Sequence, residues 1–268
     1  MPTTFENPPL IEVIAEVRWG LVMPTPPTGV PQITITTPGS SVIPTGEEFF
    51  TRFATTVAPE GFGLAERLIP VGFPALPLQP VFRYRKLTQD SGAVLYQLGK
   101  NVFSANVLPP YKSWSEFEPV IRTGIRALLS SRQSEEPVSA MLLRYVNAFA
   151  GELRQNKSVK AFLDDVLGIR VTLPDPVQQI VAPGSDVKLN LQLQIPVRGG
   201  YELSMQVGEG LVNGQLQIMQ DIVMSVTGNT PPTEQAIMGK LNDLHSLIHD
   251  MFVGMTQPLH NVMKPRAS

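Results

Sequence analysis

The chain has 268 residues, 43% of them hydrophobic and 16% charged, with a formal net charge of −2. This length allows one large domain or two small ones, and the composition is that of an ordinary globular protein. The absence of cysteine excludes disulfides, thiol catalysis and thiolate metal sites, and fits a reducing compartment.

The near-neutral charge, without a basic stripe, argues against a nucleic-acid partner. No window reaches the roughly 18 apolar residues of a membrane span, and no basic stretch followed by an apolar run opens the chain. The expectation is a cytoplasmic protein with no membrane partner. Proline is overused, 26 residues, and many fall between 21 and 45. Proline fixes φ and removes a donor, so this stretch is expected to be an extended surface loop with a short strand at 32–37.

The first element is "IEVIAEVRW", 11–19. Ile11, Val13, Ala15, Val17 and Trp19 share one face, and Glu12, Ile14, Glu16 and Arg18 the other, the period of a half-buried strand. Glu16 and Arg18 are same-face neighbours and are expected to pair. A helix follows over 45–57, with Thr45 as N-cap and Glu48 completing a capping box. Strands are expected at 80–88, at 92–99 after the turn "QDSG", and at 101–109 after a tight Gly-Lys turn, an antiparallel meander. A helix over 113–131 takes Ser113 as N-cap, and Pro119 suggests a start later than Ser113.

The second half repeats this order. A strand at 139–151 precedes a short helix at 158–168. Strands at 186–197, 201–209 and 214–228 form a second meander, with "GEGLVNG" (208–214) as its hairpin rather than a phosphate cradle. A helix over 233–257 carries the apolar stripe Ile237, Leu241, Leu244, Ile248, Met251 and Met255. "VRW" (17–19) corresponds to "LRY" (143–145), and "YQLG" (96–99) to "MQVG" (205–208), each of the latter two placed just before a hairpin turn. Two readings stand: an internal duplication, or independent reuse of common meander and helix patterns.

"FENPPLIEVIAEVRW", "YQLGKNVFSANVLPPYKSWSEFEPVI", "LLRYVNAF" and "LNDLHSLIHDMFVGMT" together resemble a family of sporadically distributed bacterial proteins, mostly uncharacterised. The resemblance spans nearly the whole chain. It rests on Asn-Pro-Pro before a Glu-Val strand, on Tyr111 and Trp114, on Arg144, Tyr145 and Asn147, and on Leu244, His245, Ile248 and Phe252. It implies no particular activity. The family's patchy distribution implies a mobile or accessory operon, antiviral defence among them. The proline-rich loop is longer than the resemblance leads one to expect.

Few constellations carry chemistry. His245 and His249 are four apart on the last helix, a spacing that can serve one metal. Ser246 stands where a zinc-protease helix needs glutamate, so a structural role for His245 is the preferred reading, with no metal and no cofactor. Asp164 and Asp165 are adjacent and diverge, and Glu12 and Glu16 are too far apart along a strand for a tight dyad. Arg83 and Arg85 alternate with Phe82 and Tyr84, which places the cations toward water. Arg144, between Leu143 and Tyr145, needs a partner: Asn147 is read as lying on its face, and Glu12 or Glu16 can reach it if the two opening strands pair.

The fold expected is α+β, an antiparallel meander sheet backed by helices, with pseudo-equivalent β-α-β-β-β-α halves at 1–132 and 133–268 forming one compact unit. The function expected is a non-catalytic protein-interaction or regulatory subunit, bound to another protein encoded nearby. Homo-oligomerisation is left open. The alternative is a sensor holding a small anionic ligand in a groove between the halves. Arg144, Tyr145, Asn147, Arg18, Glu16, Arg83 and Arg85 are the candidate ligand- or partner-binding residues.

Overall fold

A computed structural model describes residues 3–20, 47–86, 94–132 and 134–266. The proline-rich stretch 21–45 with its strand at 32–37, the Thr45 cap and the turn at 89–92 lie outside the described residues.

The elements are β1 (Leu10–Trp19), α1 (Glu47–Val57), β2 (Leu64–Arg67), β3 (Pro80–Arg85), β4 (Val94–Gly99), β5 (Val102–Val107), α2 (Trp114–Ser131), β6 (Val138–Phe149), α3 (Gly151–Arg154), α4 (Val159–Asp165), α5 (Asp175–Gln178), β7 (Leu191–Val197), β8 (Tyr201–Val212), β9 (Gln215–Thr230), α6 (Glu234–Met255) and α7 (His260–Met263). The nine strands form one antiparallel sheet in the order β2-β3-β4-β5-β1-β6-β9-β8-β7. The α+β meander sheet backed by helices is therefore as the alternation dictates.

Read outward from the central β1–β6 pair, the two arms have the same order: β1-β5-β4-β3 and β6-β9-β8-β7. The register about the centre is symmetric as well. Glu16 faces Leu142, and two residues beyond on each strand Arg18 faces Ala140 and Arg144 faces Ile14. The "VRW" and "LRY" segments thus sit in equivalent places. The other local match does not: β4 ends at Gly99, whereas β8 runs on past Gly208 to Val212, and the hairpin turn comes at Asn213–Gly214. Both turn residues have positive φ, the geometry of a two-residue turn matched to strand twist.

One face of the sheet is covered. Val13, Ala15, Val17 and Trp19 of β1, Phe103 and Ala105 of β5, and Met141 and Leu143 of β6 are buried there. α1 packs on α2, α2 on α6, and α6 on β6 and β9. Ser113 caps α2, accepting from the Glu116 N–H at 3.3 Å, and α2 begins at Trp114 despite Pro119. The later start expected from that proline is not seen, because one missing N–H near the start of an 18-residue helix is outweighed by burying Phe117, Ile121, Ile125 and Leu128. Glu234, in the first turn of α6, is gripped by Arg126 at 2.6 Å and Arg122 at 2.7 Å, and these guanidinium groups hold its carboxyl down at about 2.

Among the departures from the sequence reading, three have a visible cause. β2, "LAER", is a strand that no alternation announces; it adds to the edge of β3, with Glu66 opposite Arg83. β7 starts at Leu191 rather than 186, since Asn190 turns its side chain to accept from Gln206 at 3.2 Å. Val81, although in phase with Arg83 and Arg85 along the strand, is buried, because a register shift between Pro80 and Phe82 breaks the alternation there.

Candidate functional site

Arg144 leaves β6 on the face away from the helices. That face is built in cross-strand rows. One row runs Arg83, Gln97, Ser104, Glu16, Leu142, Ser225, Glu202. The next runs Arg85, Leu95, Asn106, Ile14, Arg144, Val223, Ser204. Five of the seven candidate residues, Arg144, Arg18, Glu16, Arg83 and Arg85, therefore share this open face. They do not converge on one point: β3 is separated from β1 by β4 and β5, which at about 4.8 Å per strand is about 14 Å.

Each of these cations is held by a carboxylate. Asp221 of β9 takes Arg144 in a bidentate grip, with Oδ1 accepting from Nε at 2.8 Å and Oδ2 from Nη2 at 2.5 Å. This hydrogen bonding, with the fields of Asp221, Glu12 and Glu16, raises the Arg144 pKa against partial burial. Arg18 donates to Glu16 at 2.5 Å, the same-face pair anticipated from their spacing. Glu66 of β2 meets Arg85 at 2.9 Å and Arg83 at 3.5 Å. Between them, Ser104 donates to Asn106 at 2.8 Å and Asn106 to Glu12 at 3.0 Å.

Two candidates lie elsewhere. Tyr145 and Asn147 project to the helix side, because residues one and three apart on a strand face opposite ways. Asn147 is buried and donates to Gln220 at 3.3 Å; the reading that placed it beside Arg144 miscounted the period. The true partner, Asp221, was missed, although an aspartate at an outward position of "QIMQDIVMSV" is the same signal that drew attention to Arg144.

Tyr145 belongs to a second constellation. Its hydroxyl pairs with His245 Nδ1 at 2.9 Å, and Trp114 stacks on the His245 ring at 4.3 Å between centroids. Trp114 Nε1 donates to Asn242 at 2.8 Å, and the Tyr111 ring meets Tyr145 edge-on. Burial raises the Tyr145 hydroxyl well above its usual range and pushes Tyr111 up to about 12. Burial, with His249 beside it, lowers His245 to about 4. Tyr111, Trp114, Tyr145 and His245, four of the residues that carried the family resemblance, thus meet in one cluster from three distant segments. His249 Nε2 is taken by the Thr3 carbonyl at 2.9 Å, so both histidines spend a ring nitrogen on the protein itself. Among the described residues no group of three His, Asp or Glu side chains is placed to hold a metal ion, and no helix is long and apolar enough to cross a membrane.

The pairing on the open face yields a test. Arg144→Ala leaves Asp221 without its bidentate partner and removes a cation whose field reaches Glu12 and Glu16, whereas Asp221→Ala leaves Arg144 with those two carboxylates nearby. The first is expected to cost about 1–2 kcal/mol and the second about half as much, read as urea midpoints at constant slope. Equal losses would show that Arg144 interacts with Asp221 alone.

No family model matches the chain, and no curated protein matches it. A solved structure, the di-domain ARO/CYC StfQ from the steffimycin biosynthetic pathway, is similar over 78% of this chain and 95% of its own, at 9% identity and a TM-score of 0.20. That likeness carries no argument about fold or function.

Proposed function

We propose that the protein is a non-catalytic protein-interaction or regulatory subunit. One observation carries this reading: on the open face Arg18, Arg83, Arg85 and Arg144 are each already matched by Glu16, Glu66 or Asp221. A small anion binding at Arg144 would have to displace Asp221 and sit beside Glu12 and Glu16, at a Coulombic cost. A broad charge-matched surface suits a macromolecular partner, whose rim charges add specificity more than affinity. The same geometry makes Arg144 a poor anchor for the sensor alternative.

The test uses the tagged full chain. Purified from its native cells, it is expected to bring down a protein at fixed stoichiometry. In a thermal-shift screen against nucleotides and anionic metabolites, no compound should raise the midpoint. A compound raising it by several degrees at about 100 times its dissociation constant, with that rise lost in Arg144→Ala, would replace this reading with the sensor.

A further inference from the structure

The geometry points to a self-pairing edge: β7 pairs antiparallel with β7 of a second copy of this chain, about a two-fold axis at Gln194, and joins the two sheets into one. This goes beyond the protein-interaction reading above and does not depend on it. β7 ends the sheet, with β8 on one side, and among the described residues no backbone group outside the sheet bonds to it. Gln192, Gln194, Ile195 and Pro196 are exposed. The free N–H and C=O groups of an edge strand are a template for another strand, and proteins blunt such edges by keeping them short or charged. The opposite edge follows that rule: β2 has four residues, and Glu66 and Arg67 are among them. β7 does not. It runs for seven residues, and the stretch "LNLQLQIPV" (189–197) carries no charge. Its register with β8 is unbroken from Leu191 to Val197, so no bulge turns the edge aside.

The strand's own pattern selects the partner. Leu191, Leu193 and Ile195 lie opposite the buried Val207, Met205 and Leu203 of β8, which puts them on the helix side, and Gln192 and Gln194 alternate onto the open face. Proline has no N–H to give to a ladder, and in an edge strand its nitrogen faces outward. Residues two apart repeat that orientation, so Gln194 and Gln192 also turn their N–H and C=O groups away from β8. Pairing about Gln194 overlaps the strand along its whole length. Gln194 then exchanges both backbone bonds with Gln194 of the second copy, and Gln192 donates its N–H to the carbonyl of the second copy's Pro196. On the helix side Leu193 meets Ile195 and Leu191 meets Val197. On the open face glutamine meets glutamine or proline, and no like charges come together within the strand. Ile195, 42% exposed in the single chain, is covered.

This match of the strand to itself is what commits the edge to a second copy instead of a foreign peptide. The axis maps β7 onto β7, so the contact is isologous, and the guarded β2 edges leave the joined sheet without a further template. The assembly therefore closes at two copies. The helices of both copies lie on the same side of it.

The chain has no cysteine, so a single introduced thiol in the purified protein can be oxidised only against its own copy. At Gln194 the two Cα atoms would stand about 5.5 Å apart, within disulfide range. Ser204, opposite Gln194 on β8, would be about 14 Å from its counterpart, three strand spacings away. Gln194→Cys is expected to form the linked pair about tenfold or more faster than Ser204→Cys. The parent is expected to sediment at twice its 29.3 kDa mass at about 50 μM. Ile195→Lys, which sets an ammonium against Leu193 at two symmetric places, is expected to weaken the pairing about tenfold or more with an unchanged circular dichroism spectrum. Should that variant fail to fold, the two cysteine variants still decide the matter. Equal linking rates from positions 194 and 204, a parent at one chain mass, or a dimer indifferent to a folded Ile195→Lys each overturn the β7 interface. A species heavier than two chains overturns its closure. In native cells, a disulfide from Gln194→Cys to a protein of another mass overturns the second copy in favour of a foreign strand.

Discussion

Phe103→Ala is expected to destabilise the protein by about 4 kcal/mol. Phe103 is fully buried in β5, with Tyr96 at 5.6 Å and Phe53 at 5.8 Å between ring centroids. Its neighbours cannot collapse into the space left behind. The Tyr96 hydroxyl is tied to the Val120 carbonyl at 2.6 Å and that of Tyr84 to the Phe50 carbonyl at 3.1 Å, so the surrounding rings are held at their far ends. A cavity that does not relax adds its own term to the lost transfer energy.

The same place explains a glycine inside α2. A methyl group on Gly124 would lie 2.5 Å from Phe103 Cζ and 2.8 Å from Tyr96 Cε1, so the helix packs on the sheet at a distance only glycine permits. Gly124→Ala gains about 1 kcal/mol of helix propensity. It meets an overpacking cost of about 1–3 kcal/mol, and a net loss is expected. In a Phe103→Leu background the closest clash is gone, and the same substitution should cost about 1 kcal/mol less. Chemical denaturation of the four proteins measures this coupling. Additive effects would mean that α2 simply moves away from the sheet, and that the close approach is not fixed.

What the sequence conveys follows from how local each signal is. The alternation of Val13, Ala15, Val17 and Trp19 is complete within one strand, and it placed β1 and its buried face correctly. The Ser113, Ser158 and Thr233 caps are equally local, each accepting from an N–H three residues on. β2 has no such signal, because its reason to be a strand lies on β3. The partner of Arg144 was not legible for the same reason. β1 and β6 do pair, as needed to bring Glu12 and Glu16 near, but the guanidinium is claimed by a strand 77 residues away, whose register is set by the whole sheet. The cluster around His245 draws single residues from segments around 111, 145 and 245, so no window of sequence contains it.

That cluster makes stability fall as the solution is acidified. The His245 ring, half-buried against Trp114 and bonded to Tyr145, is lowered from 6.5 to about 4, by burial first and by His249 second, with Asp250 opposing. The unfolded chain takes up a proton on this ring near pH 6.5, and the folded chain only near 4. The stabilisation from keeping the ring neutral is therefore complete above the unfolded value, declines as pH falls through the interval, and is gone below the folded value. It amounts to at most about 3 kcal/mol. His245→Leu loses the ring's stacking and its bond to Tyr145 at every pH, but it should lose less additional stability than the parent between pH 7 and 4.5. His249→Gln removes the neighbouring ring that helps depress His245, so its interval should narrow from the acid side. Urea midpoints taken across that range for the three proteins decide the matter: if His245→Leu and the parent show the same slope against pH, the titration belongs to another group and the ring is held for its packing alone.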